Sequence, residues 1–223
     1  MRINQFVASA SGLSRRAADI AIAGGRVTIG TRPAMTGESA PTDADIRLDG
    51  KSLLLPTSFT YLMLNKPTGY VSSRTQQGPD PTLYALLPAD YRDLRITGRL
   101  DRDSSGLVIL TDDGNFIHRY THPSNGHSKT YIVLLQKPLT TSDRDRLAAG
   151  VELEDGPSFI TVTARSGSRL TVTIGEGRNR QIRRTFGALG YTVESLHRTA
   201  VGGITLGRLA PGTYRQLSGE ETQ

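Results

Sequence analysis

The 223-residue sequence contains no cysteine, which excludes disulfides, thiolate nucleophiles and zinc sites built on thiolates. No stretch approaches the roughly 20 apolar residues that a membrane-spanning helix needs. The first residues, Met1-Arg2-Ile3-Asn4-Gln5, lack the basic and then continuously apolar pattern of a signal peptide. Internal repeats and low-complexity segments are also missing. These absences lead to the expectation of a cytoplasmic protein with no membrane partner.

What is present leans toward a polyanionic partner. The 27 Lys and Arg outnumber the 21 Asp and Glu, for a net charge of +6, although the same balance also serves solubility. The length suffices to bury a core and fits one medium domain with a smaller companion.

Ile3, Phe6, Val7 and Ala10 recur along one helical stripe, and Gly12 ends it. Ser14 is a candidate N-cap for a second helix through Ala23, stopped by Gly24-Gly25. Arg26 to Ile29 reads as a strand, and Asp45 to Leu55 as a hairpin turning at Asp49-Gly50. Pro56 to Ser58 reads as a linker, dividing the chain into segments 1–56 and 59–223. In the second segment strands are predicted at Tyr61–Leu64, Gly106–Thr111, Thr130–Leu135, Phe159–Ala164, Leu170–Ile174 and Tyr191–Leu196, with a turn at Arg165–Ser168. Helices are predicted at Asn115–Thr121, Ser142–Ala149 and Arg178–Leu189. This irregular alternation predicts an α+β protein, a small α/β module followed by a domain whose mixed, mainly antiparallel sheet is flanked by helices.

The segment Gly98-Arg99-Leu100-Asp101-Arg102-Asp103-Ser104-Ser105-Gly106, leading into apolar Leu107 to Leu110, sets a carboxylate between two arginines. That placement suits a chemically employed Asp101. In Lys129-Thr130-Tyr131-Ile132-Val133 the strand alternation aims Tyr131 away from Thr130 and Ile132. Within Glu176-Gly177-Arg178-Asn179-Arg180-Gln181-Ile182-Arg183-Arg184, a helical wheel buries Ile182 with Phe186 and Leu189 and turns Arg180 and Arg184 toward solvent. Arg183 falls at the border, where a half-buried guanidinium needs a partner. Asp101-x-Asp103-x-Ser105-Gly106 with Asp112 imitates a calcium-binding loop, but the strand-like run after Gly106 breaks the required helix-loop-helix context. A phosphoryl-transfer or nuclease site built on a metal with Asp101, Asp103, Asp112, Asp113 and His118 or His122 is another reading. His127 and His197 read as surface or structural residues, and no metal site is expected.

Taken together, Asn65-Lys66-Pro67-Thr68-Gly69, the Asp101 segment, Lys129-Thr130-Tyr131 and Glu176–Arg184 resemble, in order, the motifs of the pseudouridine synthases of the small-subunit and large-subunit ribosomal RNA type. The preceding helix, Ser-Arg-Arg helix, Gly-Arg-Val strand and Asp-Gly hairpin resemble an S4 RNA-binding module. It departs from that module at Gly30-Thr31-Arg32-Pro33, where an Asn-Gly or Asp-Gly turn is usual. Glu194–Arg198, Gly202–Leu206 and Leu209–Arg215 resemble the closing strands, so nearly the whole chain is covered. The resemblance implies an isomerase that converts a uridine of ribosomal RNA to pseudouridine after flipping the base out. Asp101 would be the catalytic carboxylate, Arg183 its ion-pair partner, and Tyr131 the ring that stacks on the uracil, with Ile182 packed against the pocket. Lys66, Arg99, Arg102, Arg180 and Arg184 would support the site or touch substrate, and Arg15, Arg16 and Arg26 would bind RNA from the S4-like module. No cofactor is expected, because the isomerisation gains no atom and passes no electron. The implied partner is ribosomal RNA or a pre-ribosomal particle, met by a monomer, with the ribosomal subunit left open. The non-enzymatic alternative is an S4-type RNA-binding or ribosome-assembly protein whose second domain is catalytically silent.

Overall fold

The computed structural model describes residues 1–41, 43–76, 78–122 and 125–222. They separate into two compact units, Met1–Thr60 with Asp112–Gly114, and Tyr61–Thr111 with the chain from Asn115 onward. Gln223, the end of the second predicted segment, lies outside the described residues.

In the first unit, α1 (Ile3–Ser11) ends on Gly12 at φ 76°, and α2 (Arg15–Ala23) starts where the Ser14 hydroxyl accepts the Ala17 N–H. Ile3, Val7, Ala18 and Ile22 from these helices share one core with Val27, Ile29 and Ile46. Those last residues belong to β1 (Val27–Ile29) and β3 (Ile46–Leu48), the centre of a sheet ordered β2-β1-β3-β4, with β2 at Arg32–Pro33 and β4 at Lys51–Ser52. Asp49 and Gly50 close the β3–β4 hairpin with positive φ at both residues, as a primed two-residue turn requires. Gly30, at φ 59°, closes β1 onto β2 with Ile29 opposite Arg32.

Among the described residues the second unit holds one large sheet. Its order is β13 (Tyr214–Gln216), β5 (Tyr61–Lys66), β7 (Ser105–Thr111), β11 (Val193–Val201), β8 (Lys129–Leu135), β10 (Arg169–Ile174) and β9 (Thr161–Ser166). Short β6 (Arg95–Thr97) pairs with β7 and β12 (Ile204–Thr205) with β11. The β7–β11 pair is parallel and the other pairs antiparallel, so the α+β class with a mixed, mainly antiparallel sheet is what the chain adopts. Central β5 and β7 are covered on both faces: Leu62, Leu64, Val108 and Leu110 enter one core, Met63, Leu107 and Ile109 another. That explains their unbroken apolar runs. The helices are α3 (Gly114–Thr121), α4 (Thr141–Ala149) and α5 (Gln181–Ala188).

Residues 105–111 form a sheet-paired strand, as read from the sequence, where a calcium loop would need open chain. Two departures from the sequence reading bear on function. β11 runs on to Val201, carrying Arg198 into the sheet centre. Helix α5 starts at Gln181 instead of Arg178, because Arg180 takes a left-handed φ of 47°. Among the described residues no helix is long and apolar enough to cross a membrane.

Candidate active site

Between β6 and β7 the chain passes through Gly98–Ser104, and six consecutive carbonyls of this turn are each bonded. Gly98 O and Arg99 O accept from Arg198 Nη2 and Nη1 at 3.0 and 3.3 Å, and Leu100 O accepts from Ser72 Oγ at 2.8 Å. Asp101 O accepts from Ser104 N at 3.1 Å, Arg102 O from Gly69 N at 2.8 Å and Asp103 O from Arg183 Nη2 at 2.8 Å. Only the Ser104 bond is local in sequence. A backbone tied from four other places can hold one side chain in one place, which chemistry at a fixed atom demands.

The side chain so held is Asp101, half-buried at the edge of a cleft of about 380 Å³. Tyr131, Ile182, Lys129, Arg99 and Arg198 line that cleft. A second hollow of about 200 Å³ shares Arg99 and Asp101 and adds Ser72, Ser73, Arg102 and Asn179. Tyr131 stands on β8, opposite Arg198 of β11 and Val172 of β10. Ile182 enters from the first turn of α5, itself anchored below the cleft by polar side chains. Gln181 Nε2 donates to Ser158 Oγ at 2.9 Å and to Glu176, and Thr185 Oγ1 donates to Ser158 Oγ at 2.8 Å.

The charged residues named from the sequence are distributed differently from expectation. Arg183 does not pair with Asp101: besides the Asp103 carbonyl it donates to Val193 O at 2.9 Å, and its Nε lies 3.3 Å from Asp103 Oδ2. A helical wheel gives the side on which Arg183 lies but not which of two nearby carboxylates it meets. Arg180 and Arg184 are not free surface cations either. Arg180 makes a two-pronged pair with Asp103 at 2.9 and 2.8 Å, and Arg184 one with Asp155 at 3.0 and 2.8 Å. Arg102 pairs with Asp80 at 2.9 Å. Lys66, expected to support the site or touch substrate, is 0% exposed and donates to the carbonyls of Pro67 and Tyr70, so it braces the turn behind the site. Arg99 is exposed on both hollows and makes no ion pair among the described residues. In the first unit Arg15 and Arg16 are exposed at the start of α2, and Arg26 is tied to Asp49 at 2.8 Å.

These positions shape the local electrostatics. The hydrogen bonds from Arg180, with the charge of Arg183 added, hold the Asp103 carboxyl below the usual carboxylate range against the effect of burial. Burial drives the Lys66 ammonium down to about 8, opposed by Asp101 and Asp103. Burial, then the charge of Arg198, also lowers Lys129, opposed by Glu176. Among the described residues, no three His, Asp or Glu are grouped as ligands of a cation would be. The sequence reading gives Lys129 and Arg198 no role; the available signal was a charge in strand phase with a residue of the buried side, Tyr131 for Lys129 and Leu196 for Arg198.

Residues 60–188 match the family model described as RNA pseudouridylate synthase. The ribosomal small subunit pseudouridine synthase A of Escherichia coli (strain K12) is 39% identical over 99% of this chain and 98% of its own. Its counterpart in Yersinia pestis is 40% identical over 99% of this chain and 96% of its own. A crystal structure of a pseudouridylate synthase superposes with a TM-score of 0.73 at 34% identity, over 100% of this chain and 98% of that one.

Proposed function

The chain belongs to the RNA pseudouridylate synthase family, and on that footing we propose that it isomerises a uridine of small-subunit ribosomal RNA at Asp101. The small-subunit substrate is supported by the relatives at 39 and 40% identity, ribosomal small subunit pseudouridine synthases that align over almost their whole lengths.

The reaction breaks the N1–C1′ bond, turns the base and joins C5 to C1′; the C5 proton leaves and N1 takes one up. It therefore needs a carboxylate at the reacting nucleotide, a pocket that retains the detached uracil, and a base taken out of its stack. Asp101 supplies the carboxylate, as nucleophile or base. Tyr131 offers a ring face for the base, a contact of about 1 to 3 kcal/mol, and Ile182 closes the apolar side. Arg99, exposed beside both hollows, is placed to meet a flanking phosphate. Arg183 acts through the Asp103 carbonyl and carboxylate, keeping the Asp101 turn in place.

Residues 1–56 are assigned to RNA binding as an S4-like domain through Arg15 and Arg16, and 59–223 to catalysis; the tie to Asp49 leaves Arg26 a smaller share. A monomer is proposed as the acting species, and a ribosomal RNA substrate is consistent with a cytoplasmic enzyme. The observation that carries the proposal is that Asp101 lines one cleft together with the buried Tyr131 and Ile182. Its test is release of tritium from a small-subunit ribosomal RNA transcript labelled at uridine C5. Release by the wild-type chain and none by Asp101→Asn is expected; RNA binding without release would leave the S4-type binding protein as the better reading.

A further inference from the structure

We infer that Arg198 is the positioning residue that couples the two candidate catalytic side chains, an inference that rests on the reading of Asp101 and Tyr131 above. Arg198 sits in the middle of β11 and is 1% exposed. On one side it lies opposite Tyr131 in β8, on the other beside Gly106 in β7. Its guanidinium reaches back along the Asp101 turn, from Nε to Leu107 O at 2.8 Å, from Nη1 to Arg99 O at 3.3 Å and from Nη2 to Gly98 O at 3.0 Å. One planar fork thus holds the chain on both sides of Asp101, while the strand that carries it sets the register of Tyr131.

Three features argue that geometry, and not ion pairing, is its role. Among the described residues it has no carboxylate at ion-pair distance; its bonds run to backbone carbonyls. A buried guanidinium solvated only by peptide dipoles is costly, and an apolar residue would fill the space at less cost if packing were all that mattered. A lysine could not reproduce the contacts, since an ammonium is a single point and the fork is planar and pre-organised. Gly106 gives the third: a Cβ there would lie 2.2 Å from the Arg198 carbonyl oxygen, at φ +109°. The chain forgoes a side chain in β7 so that the Arg198 backbone can approach.

The test measures kcat and KM by tritium release with the full chain, for wild type, Arg198→Lys, Arg198→Met, Val201→Ala and Asp101→Asn, with thermal unfolding of each. Val201 is buried on the same strand and reports plain loss of stability. A mispositioned carboxylate lowers kcat with little effect on ground-state binding, and a displacement of about 1 Å can cost about 10²-fold. Arg198→Met is therefore expected to lose about 100-fold in kcat and Arg198→Lys about tenfold, each with KM within about threefold of wild type. Val201→Ala should keep its kcat. The inference is overturned if folded Arg198→Met keeps kcat within about threefold, or loses no more than Val201→Ala at equal stability. Should Arg198→Met fail to fold, Arg198→Lys decides by the same criteria. Full activity of Asp101→Asn would overturn the underlying reading; an inactive Asp101→Asn beside active Arg198 variants would overturn this inference alone.

Discussion

The two terminal nitrogens of Arg180 lie 2.9 and 2.8 Å from the two carboxylate oxygens of Asp103, tying the segment after Asp101 to the residue that precedes α5. Both side chains are nearly half exposed, so solvent screens the pair and its coupling in a double-mutant cycle should be about 0.2 to 1 kcal/mol. Arg180→Ala should cost about that much, Asp103→Asn more, because it also removes the carboxylate beside Arg183, and the double variant little more than Asp103→Asn alone. Additive losses would show that the pair does not exist in solution.

Among the described residues Arg99 has no ion-pair partner and faces both hollows, whereas Arg102 is held by Asp80. A cation that neutralises one phosphate contributes about 0.7 to 0.9 to the slope of log K against log salt. Arg99→Ala should reduce the slope for RNA binding by about that amount, and Arg102→Ala by less. Equal slopes for wild type and Arg99→Ala would remove Arg99 from phosphate contact.

Lys66 loses its proton near 8 in the folded chain, well below its ordinary 10.5, because it is buried. Between those values the unfolded chain binds more protons, so stability from this group rises with pH, by about 3 kcal/mol in all. At neutral pH that contribution is absent, because the ammonium is charged and buried. Denaturant unfolding from pH 7.5 to 10 should show wild type gaining on Lys66→Met; parallel curves would place the lysine proton elsewhere.

Gly106→Ala would put a methyl group into the Arg198 backbone in a left-handed conformation. Strain and overpacking together should cost about 3 kcal/mol or more, read as a lower melting temperature. A near-neutral substitution would mean that β7 and β11 are not so closely paired.

The sequence revealed the parts governed by local periodicity. The Ser14 cap, the Asp49-Gly50 turn and the apolar runs of β5 and β7 each report a physical requirement within a few residues. Partners across the sheet were not legible that way. Arg183 was correctly placed at a half-buried border, but its carboxylate is Asp103 because the turn brings the carbonyl and side chain of that residue to α5. Helix α5 begins at Gln181 and not at Arg178 because Arg180 is left-handed, a conformation that the local pattern of residue types does not announce. Arg198 looked like one residue of a closing strand; its importance comes from parallel pairing with Gly106, and no local pattern encodes that. Short β6, β12 and β13 form because neighbouring strands supply their hydrogen bonds.

The most direct test of the central claim is pseudouridine mapping of ribosomal RNA from cells lacking this protein, complemented with the wild-type chain or with Asp101→Asn. The substitution keeps the shape of the side chain and removes its charge, so folding and salt-dependent RNA binding should persist. A single small-subunit site that vanishes with the protein and returns only with wild type is the predicted result. Restoration of that site by Asp101→Asn would contradict the account.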